Sequence, residues 1–145
     1  MLPRNLHTNL GLTQYGAYGT AISYYGWLFK TDNMGNDVWS QTFATKPYSA
    51  SRAEPSDEFS SVQQTNDGGY IIVGEASELG WLLKTDEMGK EIWSRSFEAD
   101  KDNRDERHTF KSVQQTKDGG YILRGGRFGD DIVIKTDEKG FVKSK

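Results

Sequence analysis

Two histidines, a scatter of carboxylates and no cysteine are the chain's candidates for bond-making chemistry. His7 and His108 are the side chains whose ordinary pKa allows proton transfer near neutrality. No His-x-x-x-His pair occurs, and without cysteine a zinc site would need carboxylates. His108 follows the mixed-charge run Asp100 to Arg107, which reads as a solvated linker, with a metal or substrate role as the alternative. An Asp-x-x-Gly stretch recurs at Asp32–Gly35, Asp86–Gly89 and Asp137–Gly140. Calcium would need alternating oxygen ligands and a closing glutamate. An aspartate opening a turn that ends near glycine is ordinary turn chemistry, because the carboxylate accepts from nearby backbone amides. Gly119-Gly120 and Gly125-Gly126 flank an expected strand rather than open a helix, so they make no phosphate loop. Without cysteine there is no disulfide or thiol catalysis. The expectation is no catalytic residue, no metal and no cofactor.

The elements that must position any site are repeated. Gly26-Trp27-Leu28-Phe29-Lys30-Thr31-Asp32 returns as Gly80-Trp81-Leu82-Leu83-Lys84-Thr85-Asp86, and in altered form as Asp131-Ile132-Val133-Ile134-Lys135-Thr136-Asp137. Ser61-Val62-Gln63-Gln64-Thr65-Asn66-Asp67-Gly68-Gly69-Tyr70 returns as Ser112-Val113-Gln114-Gln115-Thr116-Lys117-Asp118-Gly119-Gly120-Tyr121. A period near 50 residues marks a repeat architecture, with units at about 5–46, 57–98 and 109–145. In the first unit Tyr15–Gly19 is aligned with Tyr70–Gly74, and Leu10 to Gln14 stands in place of the Asp-Gly-Gly turn.

In the middle unit the spacing predicts four short strands. Phe59–Thr65 leads into a hairpin turn at Asn66–Gly69, where glycine supplies a positive φ. Tyr70–Gly74 is a buried strand, Gly80–Thr85 a third, and Glu91–Phe97 a fourth that alternates in period two. Trp27 and Trp39 stand twelve apart, as do Trp81 and Trp93. A bulky residue recurring at one place in every unit packs between neighbouring sheets or offers a ligand platform, and packing is the favoured reading. A four-stranded sheet with two faces to cover is not stable alone.

The phrases Asp-Gly-Gly-Tyr-Ile-x-x-Gly and Trp-Leu-x-Lys-Thr-Asp-x-x-Gly-x-x-x-Trp-Ser resemble a β-propeller repeat of bacterial and archaeal secreted and surface proteins, at 59–97, 110–140 and partly in the first unit. The resemblance implies an all-β fold of propeller-type blades, each of four antiparallel strands. It implies an extracellular or surface setting, although the chain's first residues carry no signal peptide. It implies no single activity, since fold does not fix function.

Propellers close with about four to eight blades, so three repeats make a partial propeller. Completion is expected from a homodimer forming a six-bladed ring or from a longer parent chain. The third unit lacks both tryptophans and ends on lysines suited to an edge strand. A net charge of −3 with no basic face argues against nucleic acid, and no apolar run is long enough for membrane insertion.

Function is expected where the copies differ. The loops after the second strand read Thr20–Tyr25, Glu75–Leu79 and Gly126–Asp130, and equivalent corners share one face of a ring. Tyr24, Tyr25, Arg127 and Phe128, flanked by Glu75, Glu78 and Asp130, are the expected ligand-binding residues for a carbohydrate or protein, with plain loop divergence as the alternative. The expected function is a non-catalytic binding or interaction module. The alternatives are a propeller-type hydrolase or lyase with its site in the channel, and a fragment with a scaffold role.

Overall fold

The computed structural model describes residues 7–18, 21–43, 58–76, 79–97, 109–127 and 129–142. Among these residues every regular element is a strand, so none is a helix able to cross a membrane. The strands form three open antiparallel sheets. The first holds β1 (His7–Tyr18), β2 (Ala21–Thr31) and β3 (Asp37–Phe43) in that order. The second holds β4 (Glu58–Gln64), β5 (Tyr70–Ala76), β6 (Leu79–Thr85) and β7 (Glu91–Phe97). The third holds β8 (Thr109–Gln115), β9 (Tyr121–Arg127) and β10 (Asp130–Thr136) in a meander. Beyond β10, Val142 bridges back to Thr136.

The turns follow from the phrases that encode them. Gly68 takes φ 87° after Asn66-Asp67, and Thr65 N–H donates to Gly69 O at 2.9 Å. This closes a three-residue loop ending in a left-handed glycine. Each Asp-x-x-Gly turn is held by its own carboxylate. Asp86 Oδ1 accepts from Met88 N at 2.8 Å and Lys90 N at 2.9 Å, and Asp32 and Asp137 repeat this on their own turns. Asp32 is held below the usual carboxylate range mainly by the Asn36 side chain and backbone.

The middle sheet is buried on both faces. Phe59, Tyr70, Ile72, Trp81 and Leu83 face the first sheet, where they meet Leu28 and Phe43. Ile71, Val73, Leu82 and Phe97 face the third with Phe110, Val113, Tyr121 and Leu123. The joint between sheets has a repeated form. Phe59 lies on Gly26 and Phe110 on Gly80, so close that a Cβ at either glycine would come within 2.5 Å of the ring. Trp39 and Trp93 likewise rest on Gly89 and Gly140 of the following sheet. The tryptophans of the third strands differ: Trp81 meets Phe59 at 5.0 Å, whereas Ile132 fills its place in the third sheet. By register the third sheet has Asp131, exposed, where the others have Gly26 and Gly80.

The first unit departs from the expected alignment. His7 pairs with Thr31 as Tyr70 pairs with Thr85, so His7 and not Tyr15 stands at the place of Tyr70. Leu10–Gln14 is strand rather than a substitute turn, and among the described residues the sheet starts at the equivalent of the second strand. The β1–β2 ladder runs on to Tyr18↔Ala21, whereas β5–β6 stops at Ala76↔Leu79. Counted from the equivalent pair Thr13↔Tyr25, this ribbon extends roughly 13–17 Å further at a strand rise of about 3.4 Å per residue.

Candidate functional site

The sequence-predicted site lies at the β1–β2, β5–β6 and β9–β10 ends of the sheets. The connections are shorter than predicted there, because Tyr24, Tyr25, Glu75, Arg127 and Asp130 all belong to strands. Glu75 is half-buried and Asp130 exposed. Glu78 and Phe128, and the side chains of Tyr24, Tyr25 and Arg127, lie outside the described residues. His108 with the run 100–107 lies outside them too.

A better-formed concavity opens at the opposite ends, where the Asp-Gly-Gly and Asp-x-x-Gly turns gather. It lies between the second and third sheets, with a volume of about 350 Å³. Asp67 and Lys84 line it from one sheet, with Trp93 beside them, and Gln115, Tyr121 and Glu138 from the other. Two contacts tie the walls together: Asn66 N donates to Gln115 Oε1, and Gln115 N to Gln63 Oε1, both at 2.9 Å.

The anchor of the site is a lysine buried by its own strand. Lys84 is 5% exposed, and its ammonium donates to Thr85 O at 2.7 Å and pairs with Asp67 at 3.1 Å. Burial would push the Asp67 carboxyl up, but the Thr65 hydroxyl, the Gly69 amide and Lys84 outweigh it and hold the carboxyl below its ordinary range. Asp67 is therefore an anion at neutral pH and a weak base. Tyr121 moves the other way: burial, then the charges of Asp67 and Glu138, push its phenol up to about 12. It stays protonated and serves as a donor. The cleft offers fixed acceptors, fixed donors and the rings of Trp93 and Tyr121, whose centres lie 6.2 Å apart. That equipment suits recognition and is poorly tuned for proton transfer, which needs a pKa near the working pH.

The third sheet repeats the anchor, with Lys135 Nζ 3.1 Å from Asp118 and 2.8 Å from Thr136 O. Sequence reasoning treated the two phrases as separate turns and missed that they meet. The available signal was a constant spacing: the Asp of Asp-Gly-Gly precedes the Lys of Lys-Thr-Asp by 17 residues in both units. Among the described residues no group of three or more His, Asp and Glu is placed to hold a metal ion.

Comparison with known proteins gives the fold and little more. No family model matches the chain. No curated protein matches it. It is similar to the crystal structure of a protein of unknown function from Bacteroides caccae, at 12% identity and a TM-score of 0.53. The match covers 92% of this chain and 45% of that one. At this identity the likeness is one of fold alone. The chain spans less than half the length of that neighbour.

Proposed function

We propose that the three sheets are blades of a β-propeller and that the chain is a non-catalytic binding module for a hydroxyl-rich ligand, a glycan, seated between the second and third blades. The observation that carries this reading is the cleft whose carboxylate, Asp67, and phenol, Tyr121, are each locked in one protonation state. Fixed acceptors and donors beside aromatic edges match the alternating hydroxyls and apolar faces of a sugar. The repeated sheet-to-sheet joint and the longer structural neighbour support the propeller, with its remaining blades supplied by a second copy or by further sequence. The family resemblance supports a place at the cell surface.

A glycan array on the full chain, followed by calorimetry on the best ligand, tests the reading. Glu138→Ala, on the exposed rim, is expected to weaken binding about tenfold, the size of one charge-assisted hydrogen bond. Unchanged binding in Glu138→Ala and Tyr121→Phe, with loss in Tyr25→Ala, would move the site to the opposite end of the sheets. Molar mass in solution tests completion by a second copy: a well-folded strict monomer removes the dimeric ring.

A further inference from the structure

Among the described residues no strand pairs with the outer edge of β1, and there the first sheet differs from its two successors. Tyr70 and Tyr121 are each preceded by a strand and a Thr-x-Asp-Gly-Gly turn, whose aspartate receives the lysine of the third strand. Lys30 holds the same place in β2, opposite Trp39 as Lys84 is opposite Trp93. Yet among the described residues its ammonium meets no carboxylate and lies 5.7 Å from the centre of the Tyr70 ring. In the sequence, Asp67 and Asp118 stand three residues before Tyr70 and Tyr121, and three residues before His7 stands Arg4, not an aspartate.

An independent observation falls at the same place. Tyr70 is 1% exposed, and its hydroxyl and the Trp39 indole N–H are buried without a hydrogen-bond partner. The two rings are 5.7 Å apart, and Tyr70 carries Lys30 over its face. Burying a polar hydrogen without a partner costs about 1–3 kcal/mol, so such groups are normally paired. In the third sheet the equivalent phenol, Tyr121, lies close enough to Asp67 of the preceding sheet to feel its charge. An aspartate at that place would therefore stand near both the Lys30 ammonium and the Tyr70 phenol, which has no hydrogen-bond partner.

We propose that the free edge of β1 takes an antiparallel strand from another polypeptide segment, one ending in a Thr-x-Asp-Gly-Gly turn whose carboxylate pairs with Lys30 beside the Tyr70 hydroxyl. The partner is the first strand of a further repeat of this kind, and both copies of that strand in this chain are already engaged in their own sheets. Main-chain hydrogen bonds along an exposed edge supply affinity, and the side chains supply register. The incoming glutamines have partners waiting. Gln115 N donates to Gln63 Oε1, and by the repeat the same bond would run from Gln64 N to the incoming glutamine. This docking site is separate from the glycan cleft and stands whether or not a glycan binds.

The test is direct binding of a synthetic peptide copying residues 59–69 to the full chain, followed by calorimetry. Saturable one-to-one binding is expected, absent for a scrambled peptide. Replacing the peptide's aspartate by asparagine is expected to weaken binding about tenfold, a change made on the peptide and so independent of protein folding. Lys30→Gln is expected to weaken the native peptide by the same factor and to leave the asparagine peptide unaffected, since both changes remove one pair. Native peptide binding no tighter than the scrambled control, or equal affinity for the aspartate and asparagine peptides, overturns the proposal. A chain already paired with its own copy that ignores the peptide overturns it too.

Discussion

Gly80 and Phe110 form the joint between the second and third sheets, and a double-mutant cycle on them measures how much the joint depends on a missing methyl group. A Cβ at Gly80 would lie 2.5, 3.0 and 3.2 Å from three atoms of the Phe110 ring. The ring is 1% exposed and pinned by Phe97 at 5.2 Å, so it cannot swing aside. Gly80→Ala therefore overpacks a closed contact, at about 1–3 kcal/mol. Phe110→Ala empties the same place at about 3–5 kcal/mol. Once the ring is gone the alanine methyl is relieved of its three closest contacts, all of them atoms of Phe110. The double variant should then be no less stable than Phe110→Ala alone, giving a coupling of about 1–3 kcal/mol. In a chain of this size that is a departure from additivity of roughly 2–12 °C in Tm. Urea and thermal unfolding of the four proteins reads it. Gly126→Ala is the control, since its nearest neighbours stand 3.7 Å away, and it should change stability by less than about 0.5 kcal/mol. Single effects that simply add, or a Gly80→Ala no worse than Gly126→Ala, would refute the reasoning.

Other expectations are simpler. Gly69→Ala and Gly120→Ala drive a methyl into the backbone carbonyls of Thr85 and Thr136, which cannot yield, and each should cost about 1–3 kcal/mol in denaturant unfolding. Asp67 has a lowered folded-state pKa, so its contribution is present above its unfolded value of 3.8 and is lost as pH falls through the lower folded one. Asp67→Asn should flatten acid unfolding in that window, and an unchanged acid limb would count against the pair. Tyr121, pushed up to about 12, contributes below its unfolded pKa of 10.0 and loses this as pH rises toward 12. An ultraviolet titration should show one phenol ionising late, and Tyr121→Phe should remove it.

What the sequence made legible was local. Asp-Gly-Gly and Asp-x-x-Gly announce their turns because one carboxylate and one glycine suffice to fix each, and the strands of the second sheet lie between such turns. The first unit was misaligned because it has no Asp-Gly-Gly anchor, and Tyr15 resembled Tyr70. The anchor that survives is Thr31, but counting back from it requires the length of the β1–β2 ladder, a property of pairing that no local residue encodes. The cleft was missed for a related reason. Its walls join Asn66 to Gln115 and Gln63 to Gln115, residues 49 and 52 apart, and neither phrase alone contains both partners. The residues singled out for binding were chosen because the copies differ, whereas the cleft is lined mostly by residues that recur.

Asp131 gives the stack a direction and a stopping rule. Each sheet offers a bare socket to the ring of the sheet after it, so the same step could be taken without limit, as in any head-to-tail assembly that does not close. At the third socket a carboxylate fills the bare place. Covering it with a phenyl ring would strip water from an exposed charge, a penalty far larger than the contact could return. A neighbour that covers this place must therefore arrive with a cation or a hydroxyl rather than with the phenyl ring of the two earlier joints.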